Sequence, residues 1–212
     1  MIVLINPNST TSMTDAMVRT ARATVPGAKI DGWTSTEGPP AIQGEADGLL
    51  AEKPLLSLVS KASAEGATAI IIGCFDDTAL DAARNAATCP VIGIGQAAYH
   101  MAAIAGERFS VVTTLAVSVP ILATNIHAYG LQRHLVRVRA SGVPVLALEE
   151  NGKEATDRVL AEVMTAVRED NVQSVVLGCG GMVDIAKKTS GLGNVRLIDG
   201  VRAAASIASH LS

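Results

Sequence analysis

The stretch Ile70-Ile71-Ile72-Gly73-Cys74 has a counterpart 105 residues further along the chain, Val175-Val176-Leu177-Gly178-Cys179. Each stretch opens with apolar, mostly β-branched residues, which is typical of a strand buried on both faces of a parallel sheet. The same offset carries Gly95 onto Gly200. Both regions therefore predict the same series: strand, Gly-Cys, helix, short strand, glycine and an Ala-rich helix. The alternative is that any two strand–helix units look alike where Gly and Ala are common, but a shared cysteine favours a true repeat.

Short apolar segments alternate with longer segments of helical periodicity along the rest of the chain. The predicted strands are Ile2–Ile5, Ala69–Ile72, Val91–Ile94, Ser110–Thr113, Leu135–Val138 and Ser174–Leu177. The predicted helices are Thr11–Thr24, Leu49–Ala64, Thr78–Ala87, Ala97–Ala105, Val119–Tyr129 and Glu154–Glu169. This alternation predicts an α/β protein with right-handed crossovers.

The repeat extends to the N-terminal segment, because Ile2–Asn6 lines up with Phe109–Thr113 at an offset of 107. We therefore expect two pseudo-symmetric halves, residues 1–105 and 106–200, each a mainly parallel sheet flanked by helices. The active site is expected in the cleft between the halves. A final helix over 203–211 is expected to pack back on the first half.

Composition excludes several classes of function. The chain of 212 residues is 49% hydrophobic but only 2% aromatic, and its 17 basic residues are scattered at a net charge of −3. Nucleic-acid binding usually leaves a clustered basic surface, so we expect no nucleic-acid partner. No apolar run reaches the ~18 residues of a membrane span, and the N-terminus lacks the basic region of a signal peptide. We expect a cytoplasmic protein with no membrane partner.

The chain contains three cysteines, Cys74, Cys89 and Cys179. A sparse, odd set without a secretory signal favours reduced thiols, and the absence of C-x-x-C together with dispersed histidines argues against a zinc site. A regulatory disulfide between Cys74 and Cys179 is the less favoured alternative. Cys89 precedes Pro90 and has no counterpart in the repeat, so it is interpreted as a packing residue.

Cys74 and Cys179 each follow a predicted strand, where ligands bind in parallel sheets. A helix that begins at the cysteine would lower the pKa of the thiol. Two opposed thiols would suit racemisation without a cofactor, since one removes a proton from a stereogenic carbon and the other returns one from the opposite side. The alternative is that both are ordinary buried cysteines.

Further candidate residues also lie at strand ends. Backbone N–H groups of Gly180 and Gly181, and hydroxyls of Thr113 and Thr114, are suited to stabilising an enolate oxygen. The segment from Asn6 to Thr11 either caps the following helix or binds an amide ligand through hydrogen bonds from Asn8, Ser9 and Thr10.

Two more segments have alternative interpretations. The aperiodic stretch Thr34–Asp47 is either a lid or a plain connection. Asp76 and Asp77 are expected to cap the following helix, and one of them is suited to orienting a ligand N–H or a thiol.

Four motifs together resemble the aspartate/glutamate/hydantoin racemase superfamily, and most closely its hydantoin and allantoin racemase branch. They are Asn6-Pro7-Asn8-Ser9-Thr10, Gly73-Cys74-Phe75-Asp76, Val111-Val112-Thr113-Thr114-Leu115 and Gly178-Cys179-Gly180-Gly181-Met182. The resemblance covers essentially the whole chain in the same order. It implies a two-base mechanism through Cys74 and Cys179, no cofactor, and commonly a homo-oligomer.

The resemblance also implies substrate contacts from Asn8, Ser9, Thr10, Thr113, Thr114, Gly180 and Gly181, and Phe75 beside the first cysteine is a further candidate for substrate binding. Amino-acid racemases of the superfamily typically have Asn-Thr after the first cysteine and Thr-His after the second, where this chain has Phe75-Asp76 and Gly180-Gly181. Neither cysteine motif holds a Lys or Arg for an α-carboxylate, so a neutral cyclic amide suits the site better. At Gln96 the chain departs from relatives that carry Glu, which bears on substrate or assembly.

The function expected from the sequence is therefore racemisation of 5-substituted hydantoins or allantoin. The alternatives are an amino-acid (Asp/Glu) racemase, a maleate-isomerase-like or decarboxylase-like enzyme on the same scaffold, and a binding protein without catalysis.

Overall fold

The structure, a computed structural model, describes residues 1–104, 108–150, 152–183, 185 and 192–212. It confirms the predicted α/β class with two four-stranded parallel sheets. The first sheet has the order β2-β1-β3-β4 and is formed by β1 (Ile2–Asn6), β2 (Ile30–Thr34), β3 (Ala69–Ile72) and β4 (Val91–Gly93). The second has the order β6-β5-β7-β8 and is formed by β5 (Phe109–Thr113), β6 (Leu135–Ala140), β7 (Ser174–Gly178) and β8 (Arg196–Asp199).

Helices flank the parallel strands of both sheets. In the first half they are α1 (Thr11–Thr24), α2 (Glu45–Ala64), α3 (Leu80–Ala86) and α4 (Ile94–Ile104). In the second they are α5 (Val119–Ala128), α6 (Ala147–Glu150), α7 (Gly152–Glu169) and α8 (Gly200–Leu211), with short 3-10 helices at Ala116–Ser118 and Gly180–Met182. None of the helices in the described part of the chain is long and apolar enough to cross a membrane.

The two sheets have the same topology, and the Gly-Cys motifs occupy equivalent places in them. In the first sheet β3 pairs with the central strand β1, where Ile72 lies beside Ile5. In the second sheet β7 pairs with the central strand β5, where Leu177 lies beside Val112. Each cysteine therefore follows an inner strand. The predicted boundary between residues 105 and 106 lies outside the described residues.

Three apolar clusters hold the layers together. The largest lies between the two sheets and includes the fully buried Tyr99 and Phe109. A second lies between the first sheet and α2 and α3, and a third between the second sheet and α7. The last helix, α8, lies beside α4 and also contacts α1 and β3, so it packs mainly on elements of the first half.

Strand β2 is not predicted by the sequence pattern. Its residues Ile-Asp-Gly-Trp-Thr contain one buried position, because β2 is an edge strand and needs no continuous apolar run. Gly32 allows α1 to approach closely, since a Cβ there would lie 2.5 Å from Cγ2 of Val18. The aperiodic stretch after β2 is an irregular connection over residues 35–44, in which Ala41 and Ile42 are buried.

Candidate active site

The segments that follow β1, β3, β5 and β7 meet around one small cavity between the two sheets. The cavity has a volume of about 30 Å³, enough for about two water molecules. Its lining consists of Asn8, Met13, Met17, Ile42, Gly73, Cys74, Phe75, Asp76, Thr113, Thr114, Ser118, Val145, Gly178, Cys179, Gly180 and Gly181. The carboxyl ends of parallel strands are where such folds bind ligands.

Both predicted cysteines line this inner cavity, one from each half. Cys74 follows β3 and Cys179 follows β7, so their positions are related by the internal repeat. Both are free thiols that are partly exposed, and they lie close enough for Cys179 to influence the charge state of Cys74. Cys89 lies away from this cavity, in a surface groove with Pro90, and packs partly against the apolar cluster of the first half.

The thiol pKa values differ from the sequence-based expectation. Burial and then the nearby Asp76 carboxylate raise the pKa of Cys74 far above its usual value, although the Thr78 hydroxyl donates a hydrogen bond to Sγ at 3.2 Å. Burial raises the pKa of Cys179 to about 12, although a hydrogen bond from the backbone N–H of Gly181 acts to lower it. The prediction of a lowered pKa was wrong because neither cysteine begins an α-helix.

The local structure explains this difference. After Cys74 the chain turns for several residues before α3 begins at Leu80, and after Cys179 there is only the 3-10 helix Gly180–Met182. The helix dipole acts mainly at the first turn of a helix, so it contributes little to either thiol. Desolvation between the two halves is then the dominant effect, and it disfavours the charged thiolate.

The N-terminal segment reaches the cavity through Asn8 alone. Asn6 is fully buried, and its side-chain amide donates to Oδ1 of Asn8 at 2.8 Å and to the Thr14 hydroxyl at 3.1 Å. The same Asn8 oxygen accepts the backbone N–H of Thr10 at 2.9 Å, so the turn is fixed by its own asparagines. This network places the Asn8 side chain at the cavity wall.

Ser9 and Thr10 are not among the residues that line the inner cavity. The Thr10 hydroxyl donates to the carbonyl of Pro40 at 2.7 Å, and the Ser9 backbone N–H donates to the carbonyl of Pro39 at 2.9 Å. They therefore hold the connection 35–44 against the N-terminal turn. That connection in turn contributes Ile42 to the cavity wall.

The second half contributes the predicted threonines and glycines. Thr113 and Thr114 are both buried at the end of β5, and the Thr113 hydroxyl donates to the carbonyl of Gly178 at 2.9 Å. Gly180 permits the two halves to approach, since a Cβ there would lie 2.9 Å from Sδ of Met17 and 3.1 Å from the carbonyl of Gly73. A side chain at Gly180 would therefore separate the segments that carry the thiols.

Phe75 also borders the cavity, but its ring belongs to the central core. The ring packs edge-on against Tyr99, with 5.4 Å between the centroids. Its buried ring fixes the position of the backbone between Cys74 and Asp76.

The two aspartates after Cys74 have different roles, and neither caps α3, whose N-cap is Ala79. Asp77 instead caps α4, where its carboxylate accepts the backbone N–H groups of Gly95 and Gln96 at 3.0 and 2.7 Å. It also accepts the Tyr129 hydroxyl at 2.9 Å and thereby joins the two halves. The prediction that these aspartates cap the next helix along the chain was wrong, because the chain turns after Cys74 and the side chain of Asp77 reaches α4 instead of α3.

Asp76 lines the cavity itself, and its buried Oδ2 has no hydrogen-bond partner among the residues that the structure describes. Burial raises the pKa of Asp76 to about 7. The sequence pattern predicts only a general orienting role for Asp76, because nothing local indicates that its carboxylate remains unpaired. Met13, Met17, Ile42, Ser118 and Val145 are not predicted by the pattern either, since they reach the cavity from other elements.

Gln96, where the sequence departs from its relatives, does not line the inner cavity. Its side chain accepts a hydrogen bond from Arg84 beside a surface groove. Among the described residues, no three His, Cys, Asp or Glu side chains are grouped closely enough to hold a metal ion.

The chain is similar to known racemases over nearly its whole length. A hydantoin racemase of Rhizobium meliloti is 41% identical over 211 residues, which cover 99% of this chain and 88% of the relative. The solved allantoin racemase of Klebsiella pneumoniae has a TM-score of 0.93 at 37% identity, covering 99% of this chain and 86% of the other. The allantoin racemase of Pseudomonas fluorescens has a TM-score of 0.92 at 33% identity, with coverages of 99% and 89%. The family described as Asp/Glu/Hydantoin racemase matches residues 2–208, and the chain belongs to this family.

Proposed function

We propose that this protein is a cofactor-independent racemase of 5-substituted hydantoins or of the ureido-hydantoin allantoin, with Cys74 and Cys179 as its two acid/base groups. The observation that carries the proposal is the placement of two thiols at repeat-related strand ends around one cavity. Family membership supports an isomerase of the racemase type. The hydantoin and allantoin racemases among its relatives support the substrate class.

In this mechanism one cysteine acts as a thiolate and the other as a thiol. The thiolate removes the proton from C5 of the ring, and the electron pair of that bond moves into the adjacent carbonyl to form an enolate. The opposed thiol then donates its proton to the other face of C5, which inverts the configuration. The first sulfur ends as a thiol and the second as a thiolate, so the enzyme is ready for the reverse reaction.

Burial makes each thiolate a stronger base, which suits removal of a proton from carbon, but it also makes the thiolate scarcer. The Thr78 hydroxyl, 3.2 Å from Sγ of Cys74, and the Gly181 backbone N–H near Cys179 both offset that cost by donating to sulfur. The backbone N–H of Gly180 and the Thr114 hydroxyl are assigned to the enolate oxygen.

The lining favours a neutral cyclic amide over a free amino acid. No Lys or Arg side chain lines the inner cavity within the described part of the chain, so an α-carboxylate would lack a cationic partner there. The Asp76 carboxylate would also repel such a substrate. Carbonyl and N–H groups of a hydantoin ring, by contrast, match the amide of Asn8 and the backbone of Gly180 and Gly181.

The test uses Cys74→Ser and Cys179→Ser, each assayed by optical rotation and by deuterium exchange at C5 in D₂O. Each variant is expected to lose racemisation by about a thousandfold or more, as removal of an acid/base group does. Cys89→Ser is the matched control and is expected to racemise at the wild-type rate. Full racemisation by both single variants would overturn the two-thiol mechanism, and turnover of aspartate or glutamate in preference to hydantoins would overturn the substrate class.

We further propose a homo-oligomer in the cytoplasm, as family membership and the three free thiols favour. Light scattering during size-exclusion chromatography checks the assembly state. A mass corresponding to one chain of 21.7 kDa at all concentrations would contradict it.

A further inference from the structure

A second, larger cavity adjoins the inner one, and Asp76 lines both. This outer cavity has a volume of about 520 Å³ and lies between the first turns of α2 and α5, where Gly48 and Pro120 contribute to its wall. The inner cavity of about 30 Å³ cannot hold a substituted ring unless its walls separate. Any part of a substrate that extends beyond the thiols therefore needs an adjoining space, and the outer cavity provides it.

The ionisable side chains that line the outer cavity are all acidic. Its ionisable side chains are those of Glu45, Glu52 and Asp76, and no Lys, Arg or His side chain lines it among the residues that the structure describes. Thr124 and Asn125 add polar groups from α5, and Asn125 also donates to the backbone carbonyl of Asp76 at 2.8 Å. This bond fixes the backbone of Asp76 at the junction of the two cavities.

Asp76, which lines both cavities, also has an acceptor that forms no hydrogen bond within the described part of the chain. This oxygen, Oδ2, is buried, and a buried acceptor without a donor is costly for the folded protein. Asp77, the neighbouring carboxylate, is by contrast fully engaged by Gly95, Gln96 and Tyr129. A ligand that brings an N–H donor or a positive charge to Asp76 would satisfy the unpaired oxygen.

From this geometry we propose that Asp76 determines specificity: the enzyme prefers hydantoins whose C5 substituent carries N–H donors or a positive charge, and it disfavours those with an anionic substituent. The substituent lies in the outer cavity while the ring lies between Cys74 and Cys179. This inference rests on the proposed function and adds the chemical class of the substituent. It assigns to Asp76 a contact with the part of the substrate that does not react.

The test compares two hydantoins of similar length, one with an aminopropyl and one with a carboxyethyl group at C5. The measured quantity is the ratio of their kcat/KM values within one variant, because a general effect of a substitution on catalysis cancels in that ratio. The wild-type protein is expected to favour the aminopropyl compound by about tenfold or more, which is the discrimination typical of a hydrogen bond to a charged group. A carbamoylethyl compound is expected to fall between the two.

Asp76→Asn is expected to bring this ratio close to one, and Asp76→Glu, which keeps the charge, is expected to retain the preference. Asp15→Asn removes the same charge from an exposed position of α1 and is expected to leave the ratio unchanged. A wild-type ratio of one or less, or the same ratio in the wild type and Asp76→Asn, would overturn the proposal.

The pH dependence of the wild-type ratio is a readout that needs no variant. Because burial raises the pKa of Asp76 to about 7, the preference is expected to grow as the pH rises through that value. The ionisable groups around it are the thiols of Cys74 and Cys179, the carboxyl of Asp77, the phenol of Tyr99 and, across the outer cavity, Glu45 and Glu52. A preference that is constant from about pH 5 to about pH 8 would contradict the role of Asp76.

Deuterium exchange at C5 of 5-methylhydantoin tests the proposed racemase function separately from the role of Asp76. The methyl substituent is small and carries no charge or hydrogen-bond donor. Exchange of this compound by the wild type together with an unaltered selectivity ratio would overturn only the role of Asp76. A lack of exchange with this and all other hydantoins would overturn the proposed function, and the specificity inference with it.

Discussion

Replacement of Asp170 by Asn is expected to destabilise the protein strongly, because it removes one partner of a buried ion pair. Asp170 follows α7, and its side chain is 2% exposed, while that of Arg139 in β6 is 8% exposed. Two guanidinium nitrogens of Arg139, Nη2 and Nε, donate to the carboxylate at 2.6 and 2.7 Å. The Ser110 hydroxyl of β5 donates to the same carboxylate at 2.7 Å, so the pair links the end of α7 to two strands.

Loss of one partner of such a pair typically costs about 3–5 kcal/mol, since the other charge stays buried. Glu162 and Glu169 still contact Arg139 at 3.1 and 2.9 Å, with side chains 27% and 55% exposed, so the lower end of that range is expected. A loss of about 3 kcal/mol is a large part of the 5–15 kcal/mol stability of an ordinary domain, and it corresponds to a fall in Tm of about 6–12 °C.

Urea denaturation at pH 7 measures this loss. Asp157→Asn is the matched control, because Asp157 is exposed on α7 and its replacement is expected to change stability by less than about 0.5 kcal/mol. The Arg139 guanidinium lowers the pKa of Asp170 in the folded state, so the pair stabilises the protein above the ordinary pKa of Asp and less as the pH falls. The difference between wild type and variant should therefore shrink below about pH 4. A loss under about 1 kcal/mol at pH 7, or one that grows on acidification, would refute the reasoning.

Three further outcomes follow from the site. Gly180→Ala is expected to lower racemisation about tenfold or more while the Tm stays near that of the wild type, because the added Cβ would press on Met17 and displace the thiol-bearing segments; unchanged kinetics would contradict this. Thr78→Val should slow iodoacetamide alkylation of Cys74 about tenfold near neutral pH, since the thiolate loses its donor, and Thr78→Ser should restore the rate. Asp76→Asn should raise the Tm at pH 8 but not at about pH 4, because the raised pKa of this buried carboxyl penalises folding only above the pKa of the unfolded state; a lower Tm at pH 8 would contradict it.

The sequence predicts best what depends on local pattern. Strands β1, β3, β5 and β7 are buried throughout, so their continuous apolar runs are unmistakable. The offset of 105 residues is enough to assign Cys74 and Cys179 to equivalent strand ends. Strand β2 lacks such a run because it lies at a sheet edge.

The sequence fails where an outcome depends on distant contacts. The hydroxyl of Thr10, a predicted substrate contact, donates to the carbonyl of Pro40, which is 30 residues away along the chain, and no local pattern indicates this bond. The thiol pKa values depend on how tightly the two halves close over Cys74 and Cys179, and no local pattern indicates that closure. The sequence also does not predict the unpaired oxygen of Asp76. Whether that side chain finds a hydrogen-bond partner depends on how other elements pack around it.

The two halves share a backbone plan but surround their thiols with different groups. The Thr78 hydroxyl donates to Cys74, whereas Cys179 accepts a hydrogen bond from the backbone of Gly181, and the Asp76 carboxylate raises the pKa of both thiols. This asymmetry cannot favour one direction of racemisation, because two enantiomers have equal free energies in water and their kcat/KM values must therefore be equal. Differences between the thiols can alter only the separate kcat and KM values for each enantiomer. Asp76 corresponds to Gly181 in the repeat, and its carboxylate disfavours both thiolates. Its presence is thus better explained by contact with the part of the substrate that does not react, which is where a racemase can still discriminate between compounds.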